Sequence, residues 1–410
     1  MVLGVSRNFR LIWTGQVVSV VGDGMQRIAL LWWARQTGGN GRLTAVALAT
    51  MLPAILGSPF GGWLADRFDR RRLMIVADAA RVAIVSVLAV MIIDHRNAAW
   101  LVCALVCAAA IGTAVFDPTY AATVPSLLEP EHRPAANGLN MANSAVGGLA
   151  GPLIGGLLIA SFGVGAVLIV NAVTFAWSAA FIARARVPRP AGATQQARTE
   201  HSTRSAIASV LRDRNLRRLV GLASALNMAV APLPLLVIAL AVDRFHTGSR
   251  GYGLLEVTVS AGVLIGALTV GRLSAAFAPA RAVLLPMFVL GAFVAAAGLL
   301  PFAGSAVVFA IGGIAIAVAN TALLTTFQSA VAAEVQGRVF GVVGALGEGL
   351  RPAGLALGAP LLAVAGVRGA FILVGTGIVA ATLAWGRPRN AKLVPRIDPE
   401  VAQVGSIRAG

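Results

Sequence analysis

Eight charged side chains sit inside or at the edge of long apolar runs: Asp23 with Arg27, Asp78 with Arg81, Glu348 with Arg351, and Asp117 and Glu256. A charge at the centre of a bilayer costs about 2.5–3.5 kcal/mol on insertion scales, so each calls for a partner or a task. Three of the acids have a base three or four residues on, the spacing that shares one helix face. Glu256 has no local partner, and Asp117 closes its run. The chemistry open to such groups is proton transfer. An acid facing a cavity that opens alternately to the two sides loads a proton on one and releases it on the other. Asp23, near the middle of its run with Arg27 one turn on, is the first candidate for proton coupling, with Glu348, Arg351 and Glu256 in reserve. The plainer alternative is a structural ion pair inside a bundle, and it weighs most for Asp78–Arg81.

The runs that carry these charges define the fold class. The chain of 410 residues is 58% hydrophobic and only 12% charged, where a soluble domain has about 25% charged residues. Its surface must therefore face lipid. Twelve spans are read, at 10–34, 44–65, 73–94, 97–117, 136–160, 163–183, 217–242, 252–275, 282–302, 304–327, 338–363 and 367–386. Each suits ~30 Å of hydrocarbon, and runs this continuous satisfy their backbone as helices. The expectation is an all-α membrane protein of twelve transmembrane helices in two pseudo-symmetric six-helix bundles. It divides into a bundle over 1–183, a linker over 184–216, a bundle over 217–386 and a tail over 387–410. The stretch "AIASVLRDRNLRRL" in and after the linker reads as a short interfacial helix.

The formal net charge of +17 does not indicate nucleic acid, because the basic residues lie in short loops between spans. Loops on the N-terminal side hold 24 Arg or Lys and the opposite loops six, Arg35, Arg42, Arg96, Arg244, Arg250 and Arg368. Positive loops stay in the cytoplasm, which places both termini inside. The first run lacks a small-residue cleavage site and reads as a retained span. Trp32 and Trp33 read as interface anchors. Cys103 and Cys107 lie in one span as small buried residues, and the four scattered histidines suggest no metal site. The single lysine, Lys392, lies in no phosphate-binding loop. No cofactor and no enzyme chemistry are expected; an ion gradient, or the substrate's own gradient, must supply the energy.

The densest charge is "GGWLADRFDRRR" at 61–72, between the second and third spans. "GWLADRFDRR" resembles motif A of the major facilitator superfamily, through Gly62, Leu64, Ala65, Asp66, Arg67, Arg70 and Arg71, with Asp69 where glycine is usual. The carboxylate can accept from a helix N-terminus and the arginines can hold carbonyls. The resemblance implies a lock that closes the cytoplasmic side between the halves. Asp78, Arg81 and Asp117 are expected to join Asp66 and Arg70 in that gate. In the fifth span, "GGLAGPLIGG" resembles motif C of the same family, at Gly147, Gly151, Pro152, Gly155 and Gly156, which implies export against protons. "FDPTYAATVPSLLEPEHRPAANGLN" and "EVQGRVFG" resemble the branch holding the enterobactin exporter and macrolide efflux proteins. The fourth span has no arginine, so a relay through motif B is excluded.

The halves echo each other. "RNFR" at 7 and "RNLR" at 214 are 207 apart, "GGWLADR" and "GALTVGR" 205 apart, and "FDPTYAATV" and "FQSAVAAEV" 211 apart. Repeats about an axis normal to the membrane are a transporter architecture. Gln16, Asn140, Asn143, Asn171, Asn227, Asn320, Thr321 and Gln328 are candidates to line a central cavity, although most serve helix packing. The resulting expectation is a monomeric exporter of a small amphipathic or lipophilic compound in the bacterial inner membrane, with protons and lipid as its other partners. A lysophospholipid flippase or importer on the same scaffold, and a non-transporting membrane sensor, stay open.

Overall fold

The computed structural model describes residues 6–95, 98–188, 214–275, 279–330 and 347–385. The segment "EVQGRVFG" at 334–341, most of the linker with the expected interfacial helix up to 213, and the tail from 386 lie outside the described residues. Among the described residues all regular structure is helical. Seven helices among the described residues are long and apolar enough to cross a membrane, or eight if the bent run over 7–67 counts as one.

Glycine divides the longest of these. The run Arg7–Arg67 breaks at Gly38 and Gly39 into α1 (7–37) and α2 (40–67). Arg70–Ile93 is α3 and Ala99–Thr123 is α4. Arg133–Arg184 breaks at Gly163 into α5 (133–162) and α6 (164–184). Helix α7 (214–244) ends in a π-helical turn, Leu240–Arg244. Then come α8 (Gly248–Ala275), α9 (Pro279–Ala297) and α10 (Phe302–Ala330). The described part of α11 is 351–365, and Gly366 separates it from α12 (367–385).

Three breaks share one conformation. Gly39 (φ 62°, ψ −153°), Gly163 (φ 79°, ψ 175°) and Gly366 (φ 63°, ψ −177°) occupy a region open essentially to glycine alone. Gly163 and Gly366 stand 203 residues apart and join the last two helices of each half. Because successive helices reverse direction, these tight turns all lie at one end of the bundle, the far end, opposite the charged loop between α2 and α3.

Packing repeats along with the turns. A methyl group at Gly57 would lie 2.9 Å from Ala114 of α4, and Gly61 also meets Ala114. Gly262 and Gly266, each 205 residues on, meet Ala310, Ile314 and Ala317 of α10 in the same way. Gly15 packs on Phe181, and Gly221 on Trp385. Glycine at 61, 262 and 266 lets helices touch backbone to backbone, which is how helices associate where no hydrophobic effect drives them together.

The outside of the bundle is apolar. Leu268, Phe162 and Val364 are among the large residues left exposed, a distribution that water would not tolerate on this scale. Trp33 is not an exposed anchor: it is buried in the core, with the Arg42 guanidinium 5.3 Å over its ring. Trp32 packs partly buried against the same core, and Trp100 at the start of α4 is the exposed tryptophan at that end.

Gly163→Ala and Gly366→Ala remove no contact, since a methyl group at either meets nothing within 4 Å. Backbone strain alone should therefore lower stability by about 1–3 kcal/mol each. Thermal unfolding in detergent checks this, with similar losses expected at the two equivalent sites.

Candidate functional site

The charged loop is built from carbonyl clamps. Asp69, where the family pattern has glycine, caps α3: its Oδ1 accepts from the Arg72 backbone N–H at 2.9 Å. Asp66 does not take that place. It is 74% exposed and lies 3.7 Å from Arg70. Arg70 donates to the carbonyls of Ala65 (3.1 Å) and Ala122 (2.8 Å), so it ties the ends of α2 and α4. Arg71 donates to Ile182 and Ala183 at the end of α6. Cations at helix C-termini meet the negative end of the macrodipole. Arg67 stacks over Trp63. A methyl group at Gly62 would meet open space, whereas Gly61 abuts the backbone of α4. The clamps formed by Arg70 and Arg71 stay within the first half.

The structure divides the gate cluster expected from sequence. Asp78 and Arg81 lie more than two turns deeper along α3 than Arg70, as a fully buried ion pair. The Arg81 guanidinium is sandwiched between Phe116 of α4 (4.5 Å) and Phe175 of α6 (4.2 Å). Gly112 makes room for it: a methyl group there would lie 2.8 Å from the Arg81 side chain. Asp78 Oδ2 and Arg81 Nε are buried without a hydrogen-bond partner among the described residues. Asp23 of α1 and Asp117 of α4 stand within electrostatic reach of this pair. Both acids are closely surrounded by protein yet keep part of their surface open. Asp78 pairs with the guanidinium, and Asp23 and Asp117 feel its charge from further away.

Arg27 does not pair with Asp23. It reaches across to Glu256 of α8, at 3.5 Å, and so joins the two halves. Arg35, at the far end of α1, makes a second such link to Asp243 of α7. Glu348 and Arg351 pair with each other at 2.9 Å and remain partly exposed. Spacing revealed the i,i+3 pairs. It held no signal for Arg35–Asp243, whose members are 208 residues apart.

The glycine motif of α5 has two faces. Gly147, Gly151 and Gly155 pack on α1 at Val20, Gly24 and Met25, and a methyl group at Gly151 would lie 2.7 Å from the Gly24 Cα. Gly148, Pro152 and Gly156 face α8 at Ser260, Gly253 and Ser249. The Ser249 hydroxyl donates to the Gly156 carbonyl at 3.1 Å. The motif is therefore a wedge of small residues between α1 of one half and α8 of the other.

The candidate cavity residues scatter. Gln16 is buried and donates to Ser178 (2.8 Å), which makes it a packing contact between α1 and α6. Asn171 is buried between Gln26 and Thr174. Asn140 accepts from the Tyr120 hydroxyl at 2.7 Å. Asn143 is buried, and its Oδ1 has no partner among the described residues. Asn227 and Asn320 do line one cavity, of about 90 Å³, and Asn227 also donates to the Gly347 carbonyl at 3.1 Å. The Gln328 side chain lies outside the described residues. At the charged-loop end Glu129, Glu131 and His132 come within 4.8 Å of one another, a proximity that sequence did not suggest. The two acids are exposed to solvent.

A multi-pass helical bundle with charges buried in its interior, and with halves joined through one wedge helix, defines a membrane transporter. The model of the Major Facilitator Superfamily matches residues 12–350, and the chain belongs to that family, whose members are transporters rather than enzymes. Macrolide efflux protein A of Streptococcus pyogenes is 24% identical over 381 residues, covering 92% of this chain and 94% of that protein. The multidrug efflux pump Tap of Mycobacterium tuberculosis is 28% identical over 408 residues, covering 95% and 96%. Among solved structures, a bacterial homologue of the iron transporter ferroportin in an inward-facing state has a TM-score of 0.72 at 14% identity, covering 95% and 99%. The nucleoside transporter NupG reaches 0.74 at 10%, covering 92% and 98%.

Removing one member of a buried ion pair strands the other. Arg81→Gln or Asp78→Asn alone should lower stability by about 3–5 kcal/mol. The double variant should recover much of that loss, and a double-mutant cycle on thermal unfolding checks the coupling.

Proposed function

We propose that this protein is a secondary active exporter of the bacterial inner membrane. It moves a small amphipathic or lipophilic compound (a drug, siderophore or secondary metabolite) outward in exchange for protons. The chain crosses the membrane twelve times with both termini in the cytoplasm. The charged-loop end is then cytoplasmic, and the conformation described is closed at the periplasmic end.

The placement of Asp23 carries this reading. Its carboxylate belongs to the Asp78–Arg81–Asp117 cluster, while its neighbour Gly24 is the residue on which Gly151 of the wedge helix packs. A change of charge at Asp23 thus acts on the α1–α5 contact, and the opposite face of α5 is the contact with the second half. With three carboxylates to one guanidinium, the cluster has room for a proton without leaving Arg81 uncompensated. Proton loading relaxes the attraction between α1 and α3, and the halves rock about the wedge.

The remaining charged residues take different tasks. Arg27–Glu256 and Arg35–Asp243 latch the periplasmic end, so Arg27 and Glu256 are gate residues rather than proton carriers. Gly62, Asp66, Arg67, Arg70 and Arg71 close the cytoplasmic end when the periplasmic latches open. Glu348–Arg351 stays a reserve pair for coupling. The efflux relatives support the outward direction, and so does the α5 motif. The exporter works as a monomer, with protons and the expelled compound as its ligands.

Asp23→Asn in proteoliposomes should abolish uphill export under an imposed pH gradient and leave downhill exchange of the same compound intact. Full uphill transport by this variant would remove Asp23 from the coupling role. In a background of Cys103→Ala and Cys107→Ala, Arg35→Cys with Asp243→Cys joined by a short bismaleimide should stop turnover. Unimpaired transport after complete cross-linking would exclude movement at that end.

A further inference from the structure

The cavity holding Asn227 and Asn320 occupies, in the second half, the place that the charged cluster fills in the first. It lies between α7, α9 and α10, as the cluster lies between α1, α3 and α4. Helices α3 and α9 begin 209 residues apart, at Arg70 and Pro279. That step carries Asp78 to Met287 and Arg81 to Leu290, and both of these line the cavity. Packing places Arg81 against Gly112 of α4 and Leu290 against Gly312 of α10, where a methyl group would be 3.2 Å away, so in the structure α4 and α10 correspond at 200 residues and not at the 211 of the sequence match. The 207-residue step between "RNFR" and "RNLR" carries Asp23 to Val230, a third lining residue. Asp23, Asp78 and Arg81 are thus replaced by apolar residues, and the space the ion pair occupies is left as a cavity.

The geometry points to this void as a binding subsite for the uncharged, apolar part of the exported compound, a small ring or a branched alkyl group. The inference rests on the export reading and adds where the substrate's apolar part is held. A water needs roughly 10–15 Å³, so about 90 Å³ admits a group of several heavy atoms. The walls around Val230, Met287, Leu290 and Ile316 are apolar, and Asn227 and Asn320 are the polar residues among the lining. Asn320 stands exposed at its margin and offers one amide for orientation. Few polar groups set in an apolar wall are the usual make-up of a small-molecule site. The two halves thereby divide the work, charge in the first and apolar recognition in the second.

Toluene is a probe of the right chemistry. The protein in lipid nanodiscs, with its methionines labelled at the methyl carbon, should show a saturable shift of the Met287 resonance on titration with toluene. Met141, which is exposed, should respond only in proportion to toluene dissolved in lipid. Ala319→Leu and, as a second filling variant, Ala223→Leu should each abolish the saturable response. Asp23→Asn should keep it, so loss of proton coupling and loss of apolar binding are separable. A Met287 response that never saturates overturns the subsite, and so does a saturable one that survives both filling variants. Neither result bears on the coupling role of Asp23, which the pH-gradient measurement decides by itself.

Discussion

Hydrocarbon offers a charged side chain no hydration, so every charge inside this bundle has to be matched by protein. The Asp78–Arg81 pair meets that constraint by mutual contact, although Asp78 Oδ2 and Arg81 Nε have no hydrogen-bond partner among the described residues. Both members are buried, the guanidinium is held between two phenylalanine rings, and Gly112 on the neighbouring helix is kept small to admit it. A point so rigid fixes α3, α4 and α6 relative to one another. Arg81 is thereby a fixed positive centre, and Asp23 and Asp117 are acids near it that are not fully buried.

Helix α5 carries glycine on two faces, one against α1 and one against α8, so the two halves approach backbone to backbone along a single helix. Small residues make a contact of this sort close without interlocking side chains. The cross-half ion pairs lie toward one end of that surface. The Arg70 and Arg71 clamps at the other end hold helices of a single half. The loop motif therefore has a structural task inside the first half in addition to any it takes on between halves.

The sequence repeat proves unequal in content. Turns and glycine contacts recur at nearly constant steps, from Gly163 to Gly366 and from Gly15 to Gly221. The side chains inside do not recur: three charged residues in one half correspond to Val230, Met287 and Leu290 in the other. A duplicated scaffold needs to conserve only the places where backbones touch, and each half is free to fill its interior differently.

The sequence by itself determined what depends on composition and local spacing. Lipid exposure followed from the scarcity of charge, the helical class from the length of the apolar runs, and the Asp78–Arg81 and Glu348–Arg351 pairs from a helix's own period. The family was legible in the loop and glycine motifs because those residues act within a few turns of each other. Only the tertiary structure decided which charge meets which across helices. It moved Arg27 from Asp23 to Glu256, joined Arg35 to Asp243 across 208 residues, gave the capping task to Asp69 in place of Asp66, and buried Trp33. These outcomes turn on the rotation and separation of packed helices, which the spacing of residues along one helix does not contain.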